Sequence, residues 1–148
     1  MREIKFRAKR LDNGEWSYGS GLLIADDFCV IDRDTEMYVD EKYEWAGNTH
    51  FFRVAGVMCD LKTIGQYTGL KDKNGKEIYE GDIIGCHNPN IKHLIFFNEK
   101  QGRFMAALDG DIENDYYGVC GLDDSRWNAT KEVIGNIHDN PELINKEE

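Results

Sequence analysis

The sequence lacks a surplus of basic residues, a close cysteine pair, a long apolar run and any sustained 3.6-residue period. Against 18 Lys and Arg stand 28 Asp and Glu, a net charge of −10, which argues against a generic attraction to phosphate backbones or anionic lipid. The cysteines, Cys29, Cys59, Cys86 and Cys120, are too far apart for the close pairs of zinc ribbons and redox motifs, and read as mostly buried thiols. The longest apolar run, Val54 to Cys59 counting Gly56, is far below a membrane span. The amino-terminal stretch is charged and has no apolar h-region, so a cytoplasmic location and no membrane partner are expected. Hydrophobic residues make up 41% of the 148, an ordinary folding composition, enough for one core or two small ones.

Alternation at period two is present instead. Arg2 to Arg10 places Ile4, Phe6 and Ala8 on one face and Glu3, Lys5, Arg7 and Lys9 on the other, the signature of a half-buried strand. Leu11-Asp12-Asn13-Gly14 supplies a turn, and Trp16, Tyr18, Leu22 and Ile24 resume the alternation, predicting a hairpin. Short strands are expected at Phe28 to Ile31, Met37 to Val39 and Phe51 to Met58, with Asp32 to Glu44 a solvated excursion. TIGQYTGL, from Thr63, reads as a strand, KDKNG as a tight turn around Asn74-Gly75, and KEIYEGDII as one return strand. Ile91 to Phe97 pairs with Arg103 to Leu108, followed by Tyr116 to Leu122 and Glu132 to Ile137. Strand signals about ten residues apart argue for a mainly β protein, a barrel or a sandwich. The tail offers one helix, capped by Asn140 with Pro141 in its first turn, over Glu142 to Lys146. A division into a β-rich region, 1–60, and a later region, 61–148, falls near Asp60 to Lys62, unless the two form one intertwined unit.

The block TIGQYTGLKDKNGKEIYEGDII, with KEVIGNIHDNPEL near the end and IKFRAKR near the start, resembles the YopX-like family of bacteriophage and prophage proteins. The resemblance implies a small protein of the bacterial host cytoplasm whose later half is a Src-homology-3-type β-barrel and whose molecular function is unassigned. It carries no catalytic residues over. Within the block, Gly81-Asp82 is expected to turn the chain into a strand, with Asp82 bonding the turning backbone. Gly65 and Gly69 suggest a bulge or corner. Tyr67 and Tyr79 are expected to pair across the hairpin. A phosphate cradle would need a following helix and a Lys-Ser or Lys-Thr pair, both missing.

Three constellations carry candidate chemistry. Asp109, Asp111, Glu113 and Asp115 are spaced like the first half of a calcium loop, but Asn114 replaces the required Gly and Cys120 the bidentate Glu. A solvated acidic turn is favoured there over a weak Mg²⁺ or Ca²⁺ site in a metal-assisted hydrolase. His50, His87, His93 and His138 form no metal or nucleophile motif; Cys86 and His87 would leave a strand on opposite faces, and a dyad of Cys120 with His138 is not legible from one sequence. The basic strand Arg2 to Arg10, with Trp16 and Tyr18 as stacking surfaces, is the alternative of a nucleic-acid-binding protein. The pairs Phe51-Phe52, Phe96-Phe97 and Tyr116-Tyr117 each send one ring inward and one outward on a strand, and outward rings seek partners. The expected reading is therefore a non-enzymatic binding or structural module that self-associates and meets an unknown phage or host protein. No catalytic, cofactor-binding or metal residues are assigned, no cofactor is expected, and nucleic acid is a disfavoured partner.

Overall fold

A computed structural model of the chain describes residues 3–31, 38–45, 48–86, 88, 90–113, 119–121 and 130–144, with backbone pairing alone for 38–45, 48–55 and 119–121. The chain is mainly β, built from antiparallel sheets, and forms two compact units, residues 3–66 and residues 67–148.

The first unit opens with the hairpin of β1 (Phe6–Lys9) and β2 (Trp16–Gly19), in which Phe6 faces Gly19 and Lys9 faces Trp16. Its turn is closed by Gly14 N–H donating to Arg10 C=O at 3.0 Å. The strand is shorter than the alternation predicts: residues 3–5 carry no ladder, and Arg2 lies outside the described residues. The alternation from Trp16 to Ile24 is likewise cut at Ser20-Gly21. Beyond the break, β3 (Leu22–Ile24) joins a second sheet with β4 (Cys29–Ile31) and β7 (Val57–Cys59), in the order β3-β4-β7. Between them in sequence β5 (Tyr38–Trp45) and β6 (Asn48–Ala55) form a hairpin of two eight-residue strands, so the expected solvated excursion is, from Tyr38 onward, a strand. The core gathers Ala8, Cys29, Ile31, Val57 and Cys59, with Phe6, Leu22, Leu61 and Ile64 packed against it. A 3-10 turn, Leu61–Thr63, is capped by the Asp60 carboxylate and bonds β1 when Thr63 Oγ1 accepts from Lys9 N–H at 2.8 Å. The chain leaves this unit along β8 (Gly65–Lys71), whose first residues, Gly65 and Gln66, pair with Arg7 and Phe6.

In the second unit the later residues of β8 pair with β9 (Glu77–Tyr79). Tyr67 faces Tyr79 with ring centroids 5.5 Å apart, the expected cross-strand pair. The register slips between Tyr67 and Lys71, and Gly69, at φ +89°, lies in the slipped stretch, a bulge that needs the left-handed region. Gly65, by contrast, stays in the regular ladder with Arg7. The expected return strand KEIYEGDII is broken in two. At Gly81, φ +83°, the chain turns, Asp82 Oδ2 accepts from Tyr79 N–H at 2.8 Å, and β10 (Asp82–Gly85) leaves for another sheet. That sheet has the order β13-β12-β11-β10-β14, with β11 (Lys92–Asn98), β12 (Arg103–Leu108), β13 (Val119–Gly121) and β14 (Glu132–Asn136). Ile78 of β9 joins Ile84, Ile95, Phe104, Ala106 and Val133 of that sheet in the core of the second unit, with Leu70 of β8 against them.

None of the sheets closes into a barrel among the described residues. The tail forms one 3-10 turn, Pro141–Leu143, in place of the expected helix, and 145–148 lie outside the described residues. Asn140 makes no capping bond; its Oδ1 instead accepts from Asn136 N–H at 3.4 Å. No helix among the described residues is long and apolar enough to cross a membrane.

Candidate functional site

The N-terminal hairpin gathers charge and aromatic surface on one face. The alternation of β1 and the length of its turn set Arg7 opposite Tyr18 and Lys9 opposite Trp16, so all four side chains leave the same side of the sheet. Phe6, Ala8 and Ser17 take the other side, toward the core. The Arg7 guanidinium lies 4.5 Å from the centre of the Trp16 ring and the Lys9 ammonium 5.6 Å from it, within reach of a cation–π attraction. Arg7 is only 5% exposed, whereas Tyr18 is 49% exposed. Two further described cations of the segment also have local partners: Lys5 pairs with Glu3 at 3.0 Å, and Arg10 forks onto both carboxylate oxygens of Asp12. That fork holds the Arg10 guanidinium above its ordinary value and the Asp12 carboxyl below its own. Of this face Tyr18 is the exposed member, while the Trp16 ring is engaged by both cations within the protein. The grouping was legible once the turn length was counted; the burial of Arg7 was not.

The acidic segment is shaped by its backbone. Leu108 C=O accepts from Asp111 N–H at 3.0 Å, and the two residues between, Asp109 at φ +50° and Gly110 at φ +77°, both adopt positive φ, the pattern of a type I′ turn. Asp109 N–H also donates to Lys92 C=O at 2.7 Å. A Cβ on Gly110 would stand 3.3 Å from Ile144 Cδ1, so the tail passes close over the turn. Among the described residues no three His, Cys, Asp or Glu side chains gather as metal ligands would; Asn114 and Asp115 lie outside them. The acidic residues that the second unit does bury serve its turns: Asp72 accepts from Asn74, Lys76 and Val133 N–H groups at 2.8, 2.9 and 3.0 Å.

His93 sits on β11 opposite Leu108 and Ile84. Burial, reinforced by the charge of Lys131 and opposed by that of Asp109, pushes its pKa down to about 4, so the imidazole is neutral near pH 7. His138 lies in the turn after β14, close to Gly81. His50 is described by backbone alone, His87 not at all, and Cys120, facing Ala106 on β12, by backbone alone, so neither the Cys86-His87 geometry nor a Cys120–His138 dyad falls within the described residues. Of the aromatic pairs, Phe97 is 40% exposed and stacks edge-on against Phe104 at 5.2 Å. The side chains of Phe51-Phe52 and Tyr116-Tyr117 lie outside the described residues.

Comparison with known proteins adds a frame to this geometry. Residues 5–145 match the family described as YopX protein. The chain is similar to the crystal structure of protein EF1440 from Enterococcus faecalis, with 26% identity, a TM-score of 0.53, and coverage of 96% of this chain and 98% of that one. No curated protein matches it. With nearly its whole length inside the family match, from the basic hairpin to the tail turn, the chain belongs to the YopX family.

Proposed function

We propose that this chain is a phage- or prophage-associated, non-enzymatic binding module that works through protein contacts and associates with copies of itself. The observation that carries the reading is an apolar row in the first unit. Met58, Val30 and Leu23 are direct partners across β7, β4 and β3 and so share one face, and Leu11 lies beside Met58, its N–H donating to Met58 C=O at 3.1 Å. Leu11, Met58 and Leu23 are 55, 40 and 39% exposed, while Val30 between them is covered. The exposed apolar surface is continuous at Leu11 and Met58, with Leu23 beyond the covered Val30, and adjoining exposed apolar side chains of this kind mark contact surfaces. Family membership supports the phage setting through the resemblance described above.

Sedimentation of the purified chain tests the reading. We expect a dimer or larger species that dissociates when Leu11 and Met58 are both changed to Lys; a parent chain that stays monomeric at high concentration overturns it. The Src-homology-3-type reading of the second unit is also proposed, supported by the five antiparallel strands of one sheet and by the irregularity in β14, where Ile134 is the extra residue between the partners of Ile83 and Ile84.

A second reading, nucleic-acid binding by the basic hairpin, draws on the shared face of Lys9, Trp16 and Tyr18. Its expected mark is fluorescence polarisation with single-stranded oligonucleotides that weakens steeply between low and physiological salt and drops in a Tyr18→Ala variant. Salt-independent or absent binding rejects it.

A further inference from the structure

Two cysteines thirty residues apart are set face to face in the first unit. Cys29 on β4 and Cys59 on β7 are direct partners across antiparallel strands, and both point into the cluster that holds Ala8, Ile31 and Val57. The kind of pair they make can be read from the other edge of β7. There Arg10 bridges Cys59, flanked by Leu11 N–H donating to Met58 C=O at 3.1 Å and Asp60 N–H donating to Lys9 C=O at 2.7 Å. With those bonds on either side of it, Cys59 turns its own N–H and C=O away from Arg10 and toward Cys29. Cys29 and Cys59 are therefore a hydrogen-bonded pair, a class with Cα atoms about 5.5 Å apart, in the middle of the separation that disulfides span, about 4.4–6.8 Å. The Cys29 thiol lies across the pair, donating to Cys59 C=O at 3.7 Å, and the Cys59 thiol donates to Val57 C=O at 3.3 Å. Both residues are thiols in this structure.

We propose that Cys29 and Cys59 form a reversible disulfide with a small disulfide oxidant of the glutathione class, crosslinking β4 to β7 and closing the chain segment that carries the β5–β6 hairpin. One cysteine, as thiolate, attacks a sulfur of oxidised glutathione, forms a mixed disulfide and expels one glutathione thiolate. The second cysteine, deprotonated in turn, attacks the sulfur of the first, forms the Sγ–Sγ bond and expels the second glutathione. Two protein thiols are oxidised, one glutathione disulfide is reduced to two thiols, and the two cysteine protons end on the two glutathiones.

Two features set the behaviour of this crosslink. Both cysteines have 0% exposure, and burial, helped by the neighbouring Cys59 and Asp60, pushes the Cys29 thiol up to about 11. Since the thiolate is the reactive form, oxidation waits on an opening of the first unit. In a hydrogen-bonded pair the Cβ atoms stand toward the wide end of about 4.5–5.5 Å, beyond the about 3.5–4.5 Å of a relaxed disulfide, so the bond is strained and easily reduced.

Incubation of the intact chain with oxidised glutathione, with and without urea below the unfolding midpoint, followed by alkylation and non-reducing peptide mapping, tests this. Expected is a single linked peptide pair containing Cys29 and Cys59, formed at least tenfold faster in sub-denaturing urea and cleared by mild dithiothreitol. Cys29→Ser and Cys59→Ser are expected to stop at the mixed disulfide, and the mapping of the parent chain decides the matter even where these variants fold poorly. Glutathione adducts without the pair, linkage to Cys86 or Cys120 instead, a bond that mild reductant leaves intact, or a rate unaffected by urea would overturn the proposal.

Discussion

Three backbone amides converge on the Asp72 carboxylate, two from its own turn and one from Val133, sixty-one residues later in the chain. Burial alone would raise its pKa, but the three N–H donors outweigh it and hold the group below the ordinary 3.8. A carboxyl depressed in the folded state contributes stability that is present above its unfolded value and lost as pH falls through its folded value. Asp72→Asn is therefore expected to cost roughly 1–3 kcal/mol in urea unfolding at pH 7, and to lose less than the parent chain below pH 4. His93 acts in a higher window. Its imidazole is held neutral, with a folded value of about 4 against the ordinary 6.5. The unfolded chain takes up the proton first as acid is added, so the contribution is complete above 6.5 and disappears as pH falls toward 4. With its partial contact with water discounted, the loss is on the order of 1–2 kcal/mol. Urea midpoints at pH 7, 5.5 and 4.5 are expected to fall for the parent and to flatten for His93→Gln; equal slopes in both would assign the loss elsewhere.

At the scale of elements, turns decide where strands change partners. Gly81 ends β9 and starts β10 at φ +83°, and Gly81→Ala is expected to cost about 1–2 kcal/mol from the left-handed backbone alone, visible as a lowered thermal midpoint. Gly135 on β14 is a matter of room: a Cβ there would stand 2.6 Å from Asn140 Oδ1 and 3.0 Å from Leu143 Cδ1. Gly135→Ala is expected to lift the Pro141–Leu143 turn off the sheet, read as faster proteolysis of the tail than in Gly81→Ala. Equal tail protection in both variants would mean the side chains move aside without cost. The β1–β2 hairpin and the KDKNG turn were legible because an apolar period of two met a turn with glycine in the left-handed region. β5 was legible only at its start, where the strand expected at Met37 to Val39 meets Tyr38 and Val39; its continuation was not, because Asp40, Glu41 and Lys42 stand in a row and erase the alternation, while pairing with β6 at eight positions supplies the strand through main-chain bonds. Over its described residues the tail starts as a 3-10 turn rather than an α-helix, and the Asn140 side chain serves Asn136 rather than a helix start.

At the scale of the whole molecule, the described residues gather into two cores, one in each unit, and surface contacts follow from which strands became neighbours. The apolar row of Leu11, Met58 and Leu23 exists only because β7, β4 and β3 lie side by side. A charge placed on it is expected to shift assembly while leaving the fold intact, so circular dichroism of the Leu11→Lys, Met58→Lys double variant is expected to match the parent while its mass falls. The basic face was legible as a cluster of residue types, and an acidic body of net charge −10 made bonding within the protein the expected use of its cations; which partner each one takes was not legible, since Arg7 meets Trp16 only through the register of the hairpin.

By itself the sequence determined the β character of the chain, its tight turns, the faces of its regular strands and its family, because each is written in residues close together or in a recognisable block. Tertiary structure alone decided that Cys29 meets Cys59, that Asp72 reaches Val133 and that the later sheet stays open among the described residues. Alternation along a strand says which side chains share a face, whereas the choice of neighbouring strand depends on backbone bonds between segments tens of residues apart, and no local pattern encodes that choice.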